Sequence, residues 1–174
     1  MVDTETLGTK PGCIILSLGA VILDPHTGEL RDTFYRNIDE GTCRAVGLRD
    51  EKGTLEFWAK PENAQARGML REDAKPLAEV LVDFTRWWTS ARGRFFWCHG
   101  ATFDAPIIEA AYEALLLEVP WAYWDVRCCR TVLALSNRRP ERVPRDVSHH
   151  ALDDARAQAR AVAASFRAGQ FNPN

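Results

Sequence analysis

Three stretches of this chain carry acidic or imidazole side chains where they could act together. In VDTETLG, Asp3 and Glu5 lie two apart in a strand-like run, so both side chains project from the same face of a strand. Asp104 follows the strand-like RFFWC and a GATF turn, at a strand-to-helix junction of the kind where functional groups gather. SHHALDDARAQA doubles two residue types: His149 beside His150, and Asp153 beside Asp154 at the opening of a helix, where the dipole favours negative charge. Carboxylates brought to one place repel one another unless cations neutralise them, and an all-oxygen ligand set suits Mg2+ or Mn2+. A histidine beside such a set can accept a proton near neutrality. Convergence of these residues would therefore make a site for metal-assisted hydrolysis. Helical geometry does not choose between Asp153 and Asp154, and the adjacent histidines are equally open on spacing alone.

Such a site requires a sheet whose strand ends present the acids and helices that cover it. CIILSLGAVIL (13–23) and LRDTFYRNI (30–38) are strand-like runs around DPHTGE, whose Pro25 and Gly28 supply a turn, and together they read as a hairpin. The second run does not sort cleanly by face, which places it near an edge. From Thr54 the pattern turns helical: TLEFWAK, then PENAQARGML, then PLAEVLVDFTRWW, in which Leu77, Val80, Leu81, Phe84 and Trp88 recur at three- and four-residue steps. RFFWC (94–98) reads as a strand, APIIEAAYEALL as a helix, Tyr123 to Val126 as a short strand and RCCRTVLAL as a helix. The last helix starts near Ala151, with Ala155, Ala159, Val162, Ala163 and Phe166 on one face. A hairpin followed by alternating strands and helices implies an α/β or α+β layer around a mixed sheet.

With 174 residues, 46% hydrophobic and 26% charged, the chain reads as one globular domain over 1–174. It has no apolar run of membrane-spanning length and no signal-peptide pattern, so a soluble protein without a membrane partner is expected. Five cysteines without CxxC spacing argue against a disulfide framework or structural zinc and fit a reduced, cytoplasmic setting. Lys plus Arg number 22 against 24 Asp plus Glu, so the basic excess of a protein that coats long duplexes is missing. A nucleic-acid partner would be gripped at a short end.

D-T-E-T-L-G at 3–8, G-A-T-F-D at 100–104 and H-H-A-L-D-D-A at 149–155 resemble, in order and spacing, the three exonuclease motifs of the DnaQ-like DEDDh 3'-5' exonucleases. The wider phrases TLGTKPGCIILSLGAVILDPHTGEL, TLEFWAKPENAQAR, GATFDAPIIEAAYEAL and VPWAYWDVRCCRT resemble the exonuclease VIII-like and ribonuclease T-like phage and bacterial branch, so the likeness runs from residue 3 to about 160. It implies a ribonuclease H-like fold with a central mixed five-stranded sheet, an N-terminal antiparallel hairpin and flanking helices. It also implies that Asp3, Glu5 and Asp154 ligate two divalent cations, that Asp104 holds the second of them, often through water, and that His149 is the general base. Of the doubled residues, only His149 with Ala151 and Asp154 fulfils the family's His-x-Ala-x-x-Asp pattern. His150, four before Asp154, has the spacing of the tyrosine in tyrosine-bearing relatives.

By the same resemblance, Thr6 and Leu7 are candidates for contacts with the terminal nucleotide. Phe103 and Trp58 offer stacking faces, weighed against plain core packing. Trp87, Trp88, Trp97, Trp121 and Trp124 are assigned to the core or an interface. NRRPERVPR (137–145) sets four arginines just before the third motif, where they would hold phosphates or form a solvated loop. Expected partners are the 3' ends of single-stranded RNA or DNA, RNA slightly favoured, and a homodimer is carried from the resemblance alone. The rival from another class is a silent module of the same fold that binds nucleic-acid ends or a protein. Only Met1 and Val2 precede Asp3, so either the first strand is short or the chain is truncated at its start, which bears on how rigidly Asp3 and Glu5 are held.

Overall fold

The computed structural model describes residues 1–136 and 149–168; the arginine-rich stretch 137–145 lies outside them. Strand β1 (Val2–Thr6) pairs antiparallel with β2 (Ile15–Leu23), which pairs antiparallel with β3 (Leu30–Asn37). β3 is thus the outer strand, and its irregular patterning has a local cause. The register slips where Val21 faces Thr33 but Ile22 faces Arg31, leaving Asp32 over as a bulge with φ of 30°.

After the hairpin come helix α1 (Glu40–Ala45), α2 (Lys52–Ala59), a 3-10 turn at Pro61–Asn63, α3 (Ala64–Met69) and α4 (Leu77–Ser90). Helix α1 was not anticipated, although Asp39 caps it by accepting the Thr42 amide. In α4 the periodic residues Leu77, Val80, Leu81, Phe84 and Trp88 are all buried, at ~1.5–3 kcal/mol each.

Strand β4 (Phe96–Cys98) and β5 (Val126–Cys128) pair in parallel, with α5 (Asp104–Ala114) between them, and α6 (Cys129–Leu135) and α7 (Ala151–Ala168) follow. Tyr123–Asp125 forms a 3-10 turn, so the strand expected there begins at Val126.

The five strands of the expected central mixed sheet fall into two hydrogen-bonded pieces, three strands antiparallel and two parallel, with β1 lying beside β4. The Met1 nitrogen donates to the Val21 carbonyl, and Val21 N–H to that of Met1. Odd residues of β1 therefore bond β2 and even ones point toward β4. There the Thr4 amide donates to the Asp104 carboxylate rather than to a strand carbonyl, and β4 has only three residues to offer.

Two layers of side chains sandwich the strands. Val2, Leu18, Ala20 and Phe34 meet α4 and α5 through an aromatic cluster of Phe84, Trp88, Phe96, Tyr112 and Trp121. On the other face Met1 and Val21 meet α6 and α7. Helix α7 approaches closely because Ala151, Ala155, Ala159 and Ala163, four residues apart, are all fully buried. Of the other tryptophans, Trp87 and Trp97 are half-buried and Trp124 is exposed. All five cysteines are free thiols. Among the described residues no helix is long and apolar enough to cross a membrane.

Candidate active site

Alternation along β1 turns Asp3 and Glu5 toward the face that α7 covers, and the first turn of α7 brings Asp154 to meet them. One carboxylate oxygen from each of the three lies within 4.8 Å of the others. Glu5 and Asp154 are buried and Asp3 is half-buried. Asp104 opens α5 beneath them at 3% exposure, its Oδ1 accepting from the Thr4 amide at 3.2 Å and the Thr4 hydroxyl at 2.9 Å.

Burial opposes the ionisation of two of these carboxyls, Asp3 and Asp104. Burial lifts the Asp104 carboxyl from 3.8 to about 6, against the pull of the two Thr4 hydrogen bonds. Asp3 is held well above the usual carboxylate range, first by burial and then by the charges of Asp104, Glu5 and Asp154. Such a set fits divalent cations, which would relieve the mutual repulsion through oxygen ligands.

The doubled residues of the third motif take different surroundings. Asp154 points into the cluster, whereas Asp153 meets Arg156 at 3.2 Å and His150 at 3.3 Å. His149, with a left-handed φ of 62°, lies edge-on to Phe57 and Trp58 at 5.1 and 5.7 Å between ring centres. His150 instead stacks on Tyr35 at 4.3 Å.

An open cleft of about 670 Å³ exposes the group; Asp3, Glu5, Asp154 and His149 line it together with Thr6, Trp58 and Phe103. Trp58 is only 4% exposed and donates from Nε1 to the Thr6 carbonyl, so it braces the end of β1 and shows the cleft little more than an edge. Leu7 is not brought to this cleft. Its side chain is 4% exposed and lines a neighbouring cavity with Leu16, Ile38 and Leu70, past the register shift between Glu5 and Thr6 that ends the regular alternation of β1.

Two positioning residues escaped the sequence reading. Gln158 donates from Nε2 to Asp3 Oδ1 at 2.7 Å. It stands one helical turn after Asp154, a signal that was legible. Gly19 sits opposite Asp3 in β2, and a Cβ there would overlap the backbone of Ala151 and Leu152. A glycine inside a strand marks such a close approach.

An acidic cluster on the first strand, covered by a helix with a histidine just before its first turn, is an arrangement whose oxygen ligands could hold divalent cations. The fold agrees: the crystal structure of the nuclease domain of 3'hExo, a DEDDh family member, bound to rAMP, is similar with a TM-score of 0.59 at 16% identity, over 97% of this chain and 90% of that one. No curated protein sequence matches the chain. The family model of the 3'-5' exoribonuclease Rv2179c-like domain matches residues 1–166, and the chain belongs to that family. It is a 3'-5' exonuclease.

Proposed function

We propose that the protein removes nucleotides from the 3' end of single-stranded or frayed nucleic acid, RNA in preference to DNA, releasing nucleoside 5'-monophosphates with the help of two Mg2+ or Mn2+ ions. The observation that carries this reading is the meeting of Asp3, Glu5 and Asp154 within 4.8 Å in an open cleft. Asp3, Glu5 and Asp154 would ligate the cations directly, and Asp104, anchored on Thr4, would hold the second. When bound, the cations supply Lewis acidity toward the phosphodiester and offset the charge of the carboxylates.

The remaining work falls to the chain itself. His149, wedged by Phe57 and Trp58 at the mouth of the cleft, accepts the proton of the attacking water. Gln158 fixes the orientation of Asp3 by donating to one of its oxygens. Thr6 and Phe103 line the place of the terminal nucleotide, with the Trp58 edge beside them. The rAMP bound to the nuclease domain of similar fold is a ribonucleotide, which supports a ribose-containing substrate. The family's exoribonuclease description supports the same choice.

The test uses 5'-labelled oligoribonucleotide and oligodeoxyribonucleotide of the same sequence with Mn2+ or Mg2+. A ladder that shortens from the 3' end, faster on RNA, is expected and Asp3→Ala abolishes it. Equal activity of wild type and Asp3→Ala would overturn the site assignment, and a faster DNA ladder the sugar preference.

A further inference from the structure

Away from the acidic cleft, at the other end of β1 and β4, lies a second cavity of about 600 Å³ lined by Arg31, Arg92, Arg94 and Arg127. None of these four arginines forms an ion pair with a carboxylate among the described residues. In a chain of net charge −2, four unpaired guanidiniums in one hollow mark a place that attracts anions. Two of them are held in position: the Arg94 and Arg127 guanidiniums lie over the Phe95 ring at 4.7 and 4.5 Å from its centre. Arg127 also donates to the carbonyl of Trp124 at 2.6 Å.

The neighbouring turn supplies aromatic faces. Tyr123 and Trp124 are 80% and 65% exposed and touch each other edge to face, so neither belongs to the core. The segment from Trp121 to Arg130 contains a single acid, Asp125. A route joins this region to the acidic cleft. β5 is the outer strand of its pair, Arg127 on β5 lines the second cavity, and Arg130, three residues on, lines the cleft. Arg130 is close enough to Asp104 to draw its carboxyl downward.

We infer that the β5 edge is a second nucleic-acid contact, which holds the single strand on the 5' side of the end being hydrolysed. Its phosphates lie on Arg127 and Arg94, and bases stack on Tyr123 and Trp124. Arginine is suited to phosphate and exposed aromatics to bases of any sequence, so the track grips without reading. The inference rests on the acidic cleft holding the 3' terminus.

The experiment compares wild type with Arg94→Ala and Trp124→Ala, both exposed positions, on a trinucleotide and on a fifteen-nucleotide oligoribonucleotide. For the longer substrate KM rises roughly tenfold in each variant with kcat unchanged, and the trinucleotide is cleaved as by wild type. The salt dependence of long-substrate binding becomes shallower by about 0.7 in slope for Arg94→Ala, one phosphate contact on a single strand. Anisotropy of a 5'-fluorescein fifteen-mer in EDTA reads the track without catalysis: variants that bind as tightly as wild type would overturn it. Equal losses on both substrate lengths would overturn it too, as would competition by a polyglutamate peptide but not by unlabelled oligonucleotide. If wild type cleaves nothing yet binds the fifteen-mer in a way the variants have lost, the track stands and the assignment of the acidic cleft falls.

Discussion

Stripped of divalent cations, this protein loses stability as pH rises from about 4 to about 5, and adding Mn2+ restores it. Asp104 is the source that can be quantified. It is 3% exposed, and burial lifts its carboxyl from 3.8 to about 6. In the unfolded chain the same group ionises near its ordinary value, about 3.9. Between these two values the folded protein keeps a proton that the unfolded chain has lost, so the Asp104 contribution falls with increasing pH across that window and levels off above it, while the buried Met1 ammonium, pushed down from 8.0 to about 5, works in the opposite sense above pH 5. A rise of about two pH units at 1.36 kcal/mol each is about 3 kcal/mol. Asp3, raised in the same direction, adds to the loss. Asp24, half-buried, and Asp73, exposed, are shifted downward, so their contribution changes only below the window. Taken alone, the Asp104 contribution of about 3 kcal/mol corresponds, for a chain of this size, to about 6–12 °C in Tm. Saturating cation at a hundred times its Kd returns about 2.7 kcal/mol, and does so chiefly above pH 6, where the ligands are ionised. Thermal melts in EDTA and in MnCl2 across this range provide the assay. A metal-free Tm that stays level or climbs between pH 4 and pH 5, or an equal gain from Mn2+ at pH 4.5 and pH 7.5, would refute the reasoning.

Three substitutions probe the site's geometry. His149→Ala should lower kcat by roughly a hundredfold or more while leaving Mn2+ affinity by calorimetry intact, and His150→Ala, whose ring stacks on Tyr35, should do far less; the reverse order would exchange their roles. Gly19→Ala should destabilise by about 3 kcal/mol and weaken Mn2+ binding, because the added carbon meets the backbone of Ala151 and Leu152 and forces α7 off the sheet; a wild-type melt would show that α7 moves at no cost. Gln158→Leu should weaken Mn2+ binding roughly tenfold by freeing Asp3 to rotate, with Gln158→Asn recovering little because its shorter arm cannot span the 2.7 Å contact; unchanged calorimetry would remove Gln158 from the site.

Much of the architecture was readable before any coordinates. The β2–β3 hairpin, the apolar stripe of α4 and the alanine-rich face of α7 follow from local periodicity, which depends only on neighbouring residues. Helix α1 was missed because it is six residues long and buries only Cys43, too little for a periodic signal. That β1 and β4 lie side by side without ladder hydrogen bonds has a reason no pattern contains: the Thr4 amide, on the open edge of β1, is taken by a carboxylate a hundred residues away.

At the acidic centre the division is similar. Sequence alone determined that Asp3 and Glu5 share a strand face, that Asp104 and the Asp153–Asp154 pair open helices, and that a histidine precedes the last of these. Only the tertiary structure decided that Asp154 turns into the cluster while Asp153 turns to Arg156 and His150. It alone buried Leu7 away from the cleft and brought Gln158 onto Asp3. Rotation of α7 about its axis and its height above β2 settle the placing of Asp154 and Gln158. Both are set by the alanine stripe and by the bare Cα of Gly19, contacts between segments more than a hundred residues apart.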